Sequence, residues 1–177
     1  GQNARCCITN GITSAGLPVY LSGLTLRYGS GNNGGGIYMK GSRSMYVSDC
    51  VIISNTASGN GGGVYKTTNT TALLVLTNCL ITANTAGPYG GGIDVNEGSL
   101  FAWNCVINNN VAQRAGGIRG TGSGVNIFDL RACVIASNRA ASTLSGGIEA
   151  NPSPGGQCFL ADSTIVSNRS EIGRAHV

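Results

Sequence analysis

Apolar and polar positions recur along this chain with a spacing of 26 to 30 residues. In four repeats an isoleucine follows a cysteine by two residues and precedes an asparagine by three, as in Cys79, Ile81 and Asn84, and in the fifth copy Ser163 replaces the cysteine. The isoleucines are Ile52, Ile81, Ile107, Ile135 and Ile165, and the asparagines are Asn55, Asn84, Asn110, Asn138 and Asn168. Such identical slots predict a structure in which equivalent residues stack on one another.

A second unit, Gly-Gly followed by Ile or Val, alternates with the first. It ends at Ile37, Val64, Ile93, Ile118 and Ile148, and the segment from Gly23 is a divergent first copy of both units. Five and three residues before each cysteine slot come further apolar pairs that alternate with mostly polar residues. These pairs are Met45/Val47, Leu74/Leu76, Leu100/Ala102, Phe128/Leu130 and Cys158/Leu160. The alternation predicts a second strand with one face in the core.

A period in the high twenties, short strand-like runs and no helical spacing favour one coil of a β-solenoid per repeat. Propeller blades are longer, and β-sandwiches do not place identical residues in identical slots. We therefore expect an all-β parallel β-helix of about six coils over residues 1–171, truncated at both ends. Residues 172–177, "IGRAHV", resemble the translation of a common sequencing adaptor, which removes His176 from the candidate chemistry.

The asparagine column is expected to mark a turn. Asparagine tolerates the left-handed backbone region better than other non-glycine residues, and stacked side-chain amides hydrogen-bond donor to acceptor. Parallel coils lie about 4.8 Å apart, so each amide is within reach of the next. The glycines before Ile or Val would supply positive φ angles or a close backbone approach.

Four of the seven cysteines, Cys50, Cys79, Cys105 and Cys133, occupy one repeat slot. They are interpreted as apolar fillers of the interior, because stacked side chains that point alongside each other suit disulfide geometry poorly. Four ligands in one line cannot surround a zinc ion tetrahedrally, so no metal or other cofactor is predicted. The adjacent pair Cys6 and Cys7 receives no assignment.

A mixed column follows the Gly-Gly unit and is expected to point outward on one sheet. It consists of Tyr38, Tyr65, Asp94, Arg119 and Glu149. The candidate catalytic residues are Asp94, Arg119 and Glu149, with the two carboxylates two coils apart and Arg119 between them. A surface charge ladder is favoured over catalysis, because an adjacent cation lowers carboxylate pKa values whereas a general acid needs a raised one. Tyr38 and Tyr65 are candidates for stacking on a sugar ring, or form an ordinary tyrosine pair.

Composition narrows the function classes. Only 10% of the residues are charged, and the formal net charge of +4 is spread along the chain without a basic cluster, so no nucleic-acid partner is expected. No apolar run reaches the length of a membrane span.

The alternation of Gly-Gly-Ile/Val with Ile-x-x-Asn resembles the repeats of chlamydial-type polymorphic outer membrane proteins, whose pair is Gly-Gly-Ala-Ile with Phe-x-x-Asn. More broadly it is similar to the right-handed parallel β-helix of the pectin-lyase-like superfamily. The resemblance covers Gly23 to Asn168, with Ile in place of the Phe.

The resemblance implies a secreted or cell-surface protein with a structural or adhesive role and a polysaccharide or cell-surface partner. The alternative is a carbohydrate-active enzyme whose catalytic coils are partly missing. Lyases of this fold use clustered aspartates, whereas Asp49, Asp129 and Asp162 fall in scattered slots.

Overall fold

The computed structural model describes residues 5–11, 16–67, 71–122, 127–142 and 145–171. Within these segments the chain forms strands and no helix, and every strand pairs in parallel with its counterpart one coil away. Four strands make one coil, and six strands stack in each of four sheets, which amounts to about five full turns. The prediction of an all-β parallel solenoid is confirmed. His176 and the rest of 172–177 lie outside the described residues.

Sheet 1 contains the strands that follow the Gly-Gly units and, before them, a first strand that follows Cys7. They are β1 (Ile8–Asn10), β5 (Ile37–Met39), β9 (Val64–Lys66), β13 (Ile93–Val95), β17 (Ile118–Thr121) and β21 (Ile148–Asn151). The first residues of the strands pair in register from Ile8 through Ile37, Val64 and Ile93 to Ile148. Because in-register parallel strands bury the same position in every coil, this column is apolar throughout.

Sheet 2 contains the longest strands. They are β2 (Val19–Ser22), β6 (Met45–Ser48), β10 (Leu73–Thr77), β14 (Ser99–Trp103), β18 (Ile127–Arg131) and β22 (Gln157–Ala161). The inward columns are the apolar pairs expected from the sequence, and Leu74, Leu76 and Leu100 are completely buried. The equivalent Leu160 in the last coil is 49% exposed, because no further coil covers it among the described residues.

Sheet 3 carries the isoleucine column, and sheet 4 is short. Sheet 3 contains β3 (Thr25–Arg27), β7 (Val51–Ile53), β11 (Leu80–Thr82), β15 (Val106–Asn108), β19 (Val134–Ala136) and β23 (Thr164–Val166). Sheet 4 contains β4 (Ser30–Gly31), β8 (Thr56–Ala57), β12 (Thr85–Ala86), β16 (Val111–Ala112), β20 (Arg139–Ala140) and β24 (Arg169–Ser170). The isoleucines of β7, β11, β15 and β19 are completely buried and join the core between the sheets.

The repeated asparagines form one buried column at the corner between sheets 3 and 4. Oδ1 of Asn110 accepts hydrogen bonds from the backbone N–H of Asn84 at 2.9 Å and from its Nδ2 at 3.0 Å. Nδ2 of Asn110 donates to the carbonyl of Ile81 and to Oδ1 of Asn138, both at 3.0 Å. The pattern runs from Asn55 to Asn168. Every donor of each internal amide is therefore satisfied without water.

The left-handed residue at this corner is not the ladder asparagine but the residue before it. Positive φ angles of 54° to 55° occur at Ser54, Ala83, Asn109, Ser137 and Ser167. The expectation that the ladder asparagines adopt this conformation was wrong. Asparagine recurs at this position because its side-chain amide makes the hydrogen bonds of the ladder. In the Gly-Gly unit the reason for glycine is close approach: a Cβ added at Gly91 would lie 2.5 Å from the carbonyl oxygen of Gly116.

One inward position holds a charged residue. Lys66 pairs in register with Met39 on one side and Val95 on the other, so its side chain enters the core, where it is completely buried. Its Nζ donates to the backbone carbonyl of Glu97 at 2.5 Å. Burial lowers the pKa of Lys66 from 10.5 to about 8, against the opposing effect of Glu97.

Candidate functional site

The structure brings the mixed column of sheet 1 together as the sequence spacing requires. Tyr38, Tyr65, Asp94, Arg119 and Glu149 occupy the middle of successive strands and pair in register from one coil to the next. Nη1 of Arg119 lies 3.2 Å from one carboxylate oxygen of Asp94 and 3.4 Å from the other. The three candidate catalytic residues are therefore neighbours on one face of the solenoid.

A corner of the chain covers this column. The ring of Tyr89 lies with its centroid 3.9 Å from the guanidinium carbon of Arg119 and 5.5 Å from that of Arg114. Arg114 in turn bonds Glu149 at 2.7 Å. Asp94, which pairs with Arg119, is 0% exposed, so the interpretation of the column as an exposed charge ladder was wrong. The sequence does not reveal that the corner folds back over it.

Burial also changes the chemistry expected of Asp94. It raises the pKa of this carboxyl from 3.8 to about 6, and the charge and hydrogen bond of Arg119 only partly offset that increase. The sequence argument had assigned the dominant effect to the cation, which is incorrect because the carboxylate has lost its water. Asp94 has the proton affinity of a general acid, but it lies beneath the surface where a polymeric substrate cannot touch it.

Replacing Arg119 by methionine is expected to raise the pKa of Asp94 above about 6, because the opposing positive charge disappears while burial remains. The measurement is an NMR titration of the Asp94 carboxyl carbon. Arg131→Met is the control, since Arg131 bonds Asp129 on sheet 2 and not Asp94. A decrease in the Asp94 pKa in Arg119→Met would contradict this assignment of causes.

The tyrosines of this column do not present a flat surface. The rings of Tyr38 and Tyr65 lie 5.5 Å apart between centroids and are tilted by 31°. Tyr65 is buried and Tyr38 is half-buried. The suggestion that both stack on a sugar is therefore corrected: Tyr65 has no free face to offer.

Exposed aromatic residues instead occupy the outer face of sheet 2. The outward column contains Tyr20, Tyr46, Val75, Phe101, Asp129 and Phe159, and Trp103 follows two residues after Phe101 on the same face. Tyr20 and Tyr46 are stacked at 5.2 Å with 17° between their planes. Sequence reasoning missed this surface, although its signal was present: these residues alternate with the core pairs that were identified. We call Tyr20, Tyr46, Phe101 and Trp103 the aromatic face.

The aromatic face borders a shallow groove of about 320 Å³. The groove is lined by Tyr46, Leu73, Val75, Thr77, Phe101 and Trp103. Phe101 and Trp103 meet edge to face with centroids 6.0 Å apart, and Trp103 is 40% exposed. The groove is thus an open apolar surface with aromatic walls.

Polar side chains run beside the aromatic face, at the corner where sheet 2 ends. Nδ2 of Asn104 donates to Oδ1 of Asn78 at 2.8 Å, and Nδ2 of Asn78 donates to Asp49 at 3.1 Å. All three residues are exposed. On the next coil, Arg131 bonds Asp129 through two nitrogens at 2.7 and 2.9 Å. Apolar and hydrogen-bonding groups therefore lie side by side along the solenoid.

The four cysteines of the repeat slot form a second column, at the start of sheet 3. Cys50, Cys79, Cys105 and Cys133 are buried, and each thiol donates to the carbonyl of the residue two positions earlier at 3.1 to 3.3 Å. All seven cysteines lie in described segments and are free thiols. Among the described residues no group of three or more His, Cys, Asp or Glu could hold a metal ion.

No protein-family model, curated protein or solved structure matches this chain. The part of the chain that the structure describes also contains no helix of the length and hydrophobicity needed to cross a membrane.

Proposed function

We propose that this chain is a non-catalytic, glycan-binding segment of a secreted or cell-surface protein, with a structural or adhesive role. The observation that carries the proposal is the aromatic face of sheet 2, with its groove of about 320 Å³. The solenoid supplies a rigid support that keeps these side chains in line over several coils.

Aromatic rings on a flat sheet suit sugars, because the C–H groups on one side of a pyranose ring pack against a π surface and its hydroxyls bond polar groups at the edge. Trp103 supplies such a surface, because it is 40% exposed, and the exposed amides of Asn78 and Asn104 lie at its edge. Ligand sites commonly combine an apolar lining with a few polar groups in this way. A polysaccharide running across several coils would meet the side chains of a new coil every 4.8 Å or so.

A carbohydrate-active enzyme is the second candidate, and the raised pKa of Asp94, about 6, favours it. Asp94 is nevertheless completely buried on sheet 1 and does not lie beside the aromatic face on sheet 2. Binding without cleavage is therefore the function that the exposed groups support best.

Trp103→Ala is expected to weaken binding to a polysaccharide that the unaltered chain retains, by about tenfold or more, which corresponds to roughly 1.4 kcal/mol. The loss of stacking area is the cause. The measurement is affinity electrophoresis against a panel of neutral and acidic polysaccharides, followed by calorimetry with the best ligand. Tyr28→Ala is the matched control, because Tyr28 is 73% exposed at a corner away from sheet 2.

Two outcomes would contradict the proposal. One is that no polysaccharide of the panel is retained, or that Tyr28→Ala weakens binding as much as Trp103→Ala. The other is release of new reducing ends from a bound glycan that Asp94→Ala abolishes, which would favour the enzyme instead.

A further inference from the structure

The four buried cysteines, Cys50, Cys79, Cys105 and Cys133, stack in one column along the solenoid. Their strands are in register, so Val51, Leu80, Val106 and Val134 stack directly, and the cysteine that precedes each of them stacks in the same way. Parallel strands are about 4.8 Å apart, and this is therefore the separation of equivalent side chains along the column. The four thiols are buried in this column, each beside the carbonyl of the residue two positions earlier.

We propose that this cysteine ladder binds soft monovalent cations with a filled d shell, Cu⁺ or its redox-inert analogue Ag⁺, each held linearly between two thiolates of adjacent coils. Soft thiolate ligands select such cations over hard ones. A metal–sulfur bond of roughly 2.3 Å, the length of zinc–thiolate bonds, makes a linear sulfur–metal–sulfur unit about 4.6 Å long. That length nearly equals the strand spacing of about 4.8 Å.

The direction of the side chains also fits. The thiols are buried on the inner side of the coils. Because the coils are in register, equivalent sulfurs lie one above the other along the solenoid axis. The same parallel orientation disfavours a disulfide, which needs side chains aimed at each other, and four ligands in line disfavour tetrahedral zinc.

A thiolate in this column has donors to stabilise its charge. The backbone N–H of Leu24 points at Sγ of Cys50 at 3.5 Å, and the N–H of Cys133 donates to Oγ of Ser163 in the fifth copy of the slot at 3.1 Å.

Access requires only a local opening. The residue before each cysteine is exposed at the corner between sheets 2 and 3, as at Asp49, Asn78 and Asn104, so one layer of backbone separates the sulfur from solvent. Binding of one ion converts two thiols and M⁺ into a bis-thiolate anion and releases two protons to solvent. Two ions fit without sharing a sulfur, one between Cys50 and Cys79 and one between Cys105 and Cys133.

The test uses a parent variant, Cys6→Ser/Cys7→Ser/Cys158→Ser, which lacks the three cysteines outside the ladder slot. Titration with Ag⁺ in chloride-free buffer, followed by native mass spectrometry, is expected to give about two Ag⁺ ions per chain. X-ray absorption should show two sulfur ligands per ion. This measurement on the parent needs no change within the ladder.

Two matched double variants then separate geometry from cysteine count. Cys50→Ser/Cys79→Ser leaves the adjacent pair Cys105 and Cys133, whereas Cys79→Ser/Cys133→Ser leaves Cys50 and Cys105 two coils apart. Serine suits the slot, since Oγ of Ser163 bonds the carbonyl of Ala161 at 2.8 Å there. The first variant is expected to bind one ion, and the second to bind at least about tenfold more weakly. Equal binding by both variants, no Ag⁺ in the folded parent, or three or four sulfur ligands per ion would each overturn the proposal.

Discussion

Asn110→Ala is expected to lower the free energy of unfolding by about 3–6 kcal/mol, the largest loss from any single substitution considered for this chain. The change removes Oδ1, which accepts two hydrogen bonds from Asn84, and Nδ2, which donates to Ile81 and Asn138. Asn84, Asn110 and Asn138 are completely buried, so water cannot replace these partners without opening the corner. Each buried polar group left unpaired costs about 1–3 kcal/mol.

Urea unfolding followed by circular dichroism measures this loss. Asn108→Ala in the same coil is the matched control, because Oδ1 of Asn108 has no hydrogen-bond partner in the structure. That substitution removes a buried oxygen that is already unpaired, so it should lower the free energy of unfolding by less than about 0.5 kcal/mol. Equal losses in the two variants would show that the amide ladder contributes no more than an ordinary asparagine.

Lys66→Met is expected to raise the free energy of unfolding at pH 7 by roughly 2–3 kcal/mol, because it removes a buried charge and keeps the volume. The pKa of Lys66 is about 8 in the folded chain and 10.5 when unperturbed. Between these values the unfolded chain binds more protons than the folded chain, so stability increases as the pH rises from about 8 to 10.5. Below about pH 8 the cost of the buried ammonium is fully present.

The measurement is the difference in unfolding free energy between the unaltered chain and Lys66→Met, from pH 7 to pH 10.5. This difference should shrink as the pH rises, and comparing two chains cancels the titration of tyrosines and cysteines that they share. Lys40→Met is the control, since Lys40 is the other lysine and is exposed. A Lys66→Met variant less stable than the unaltered chain at pH 7 would contradict the prediction.

The repeat columns made the scaffold predictable. Every coil of a parallel solenoid must bury what its neighbours bury, so Ile81, Cys79 and Asn84 each belong to a series that can be counted in the sequence. The register of the mixed column that contains Asp94 follows from the same spacing. The aromatic face could also have been predicted from the sequence, because Tyr46 and Phe101 alternate with identified core residues.

The surroundings of the same positions were decided by tertiary structure. An outward residue of sheet 1 is exposed to water only where the corner between sheets 4 and 1 does not fold back over it. At that corner Tyr89 packs against Arg119. The aromatic face of sheet 2, in contrast, stays open. Burial then raises the pKa of Asp94 despite its cation. The sequence by itself thus determined which residues stack, since stacking follows from the period. Only the folded chain determined which of them lose their water, because solvation depends on segments that the repeat does not constrain.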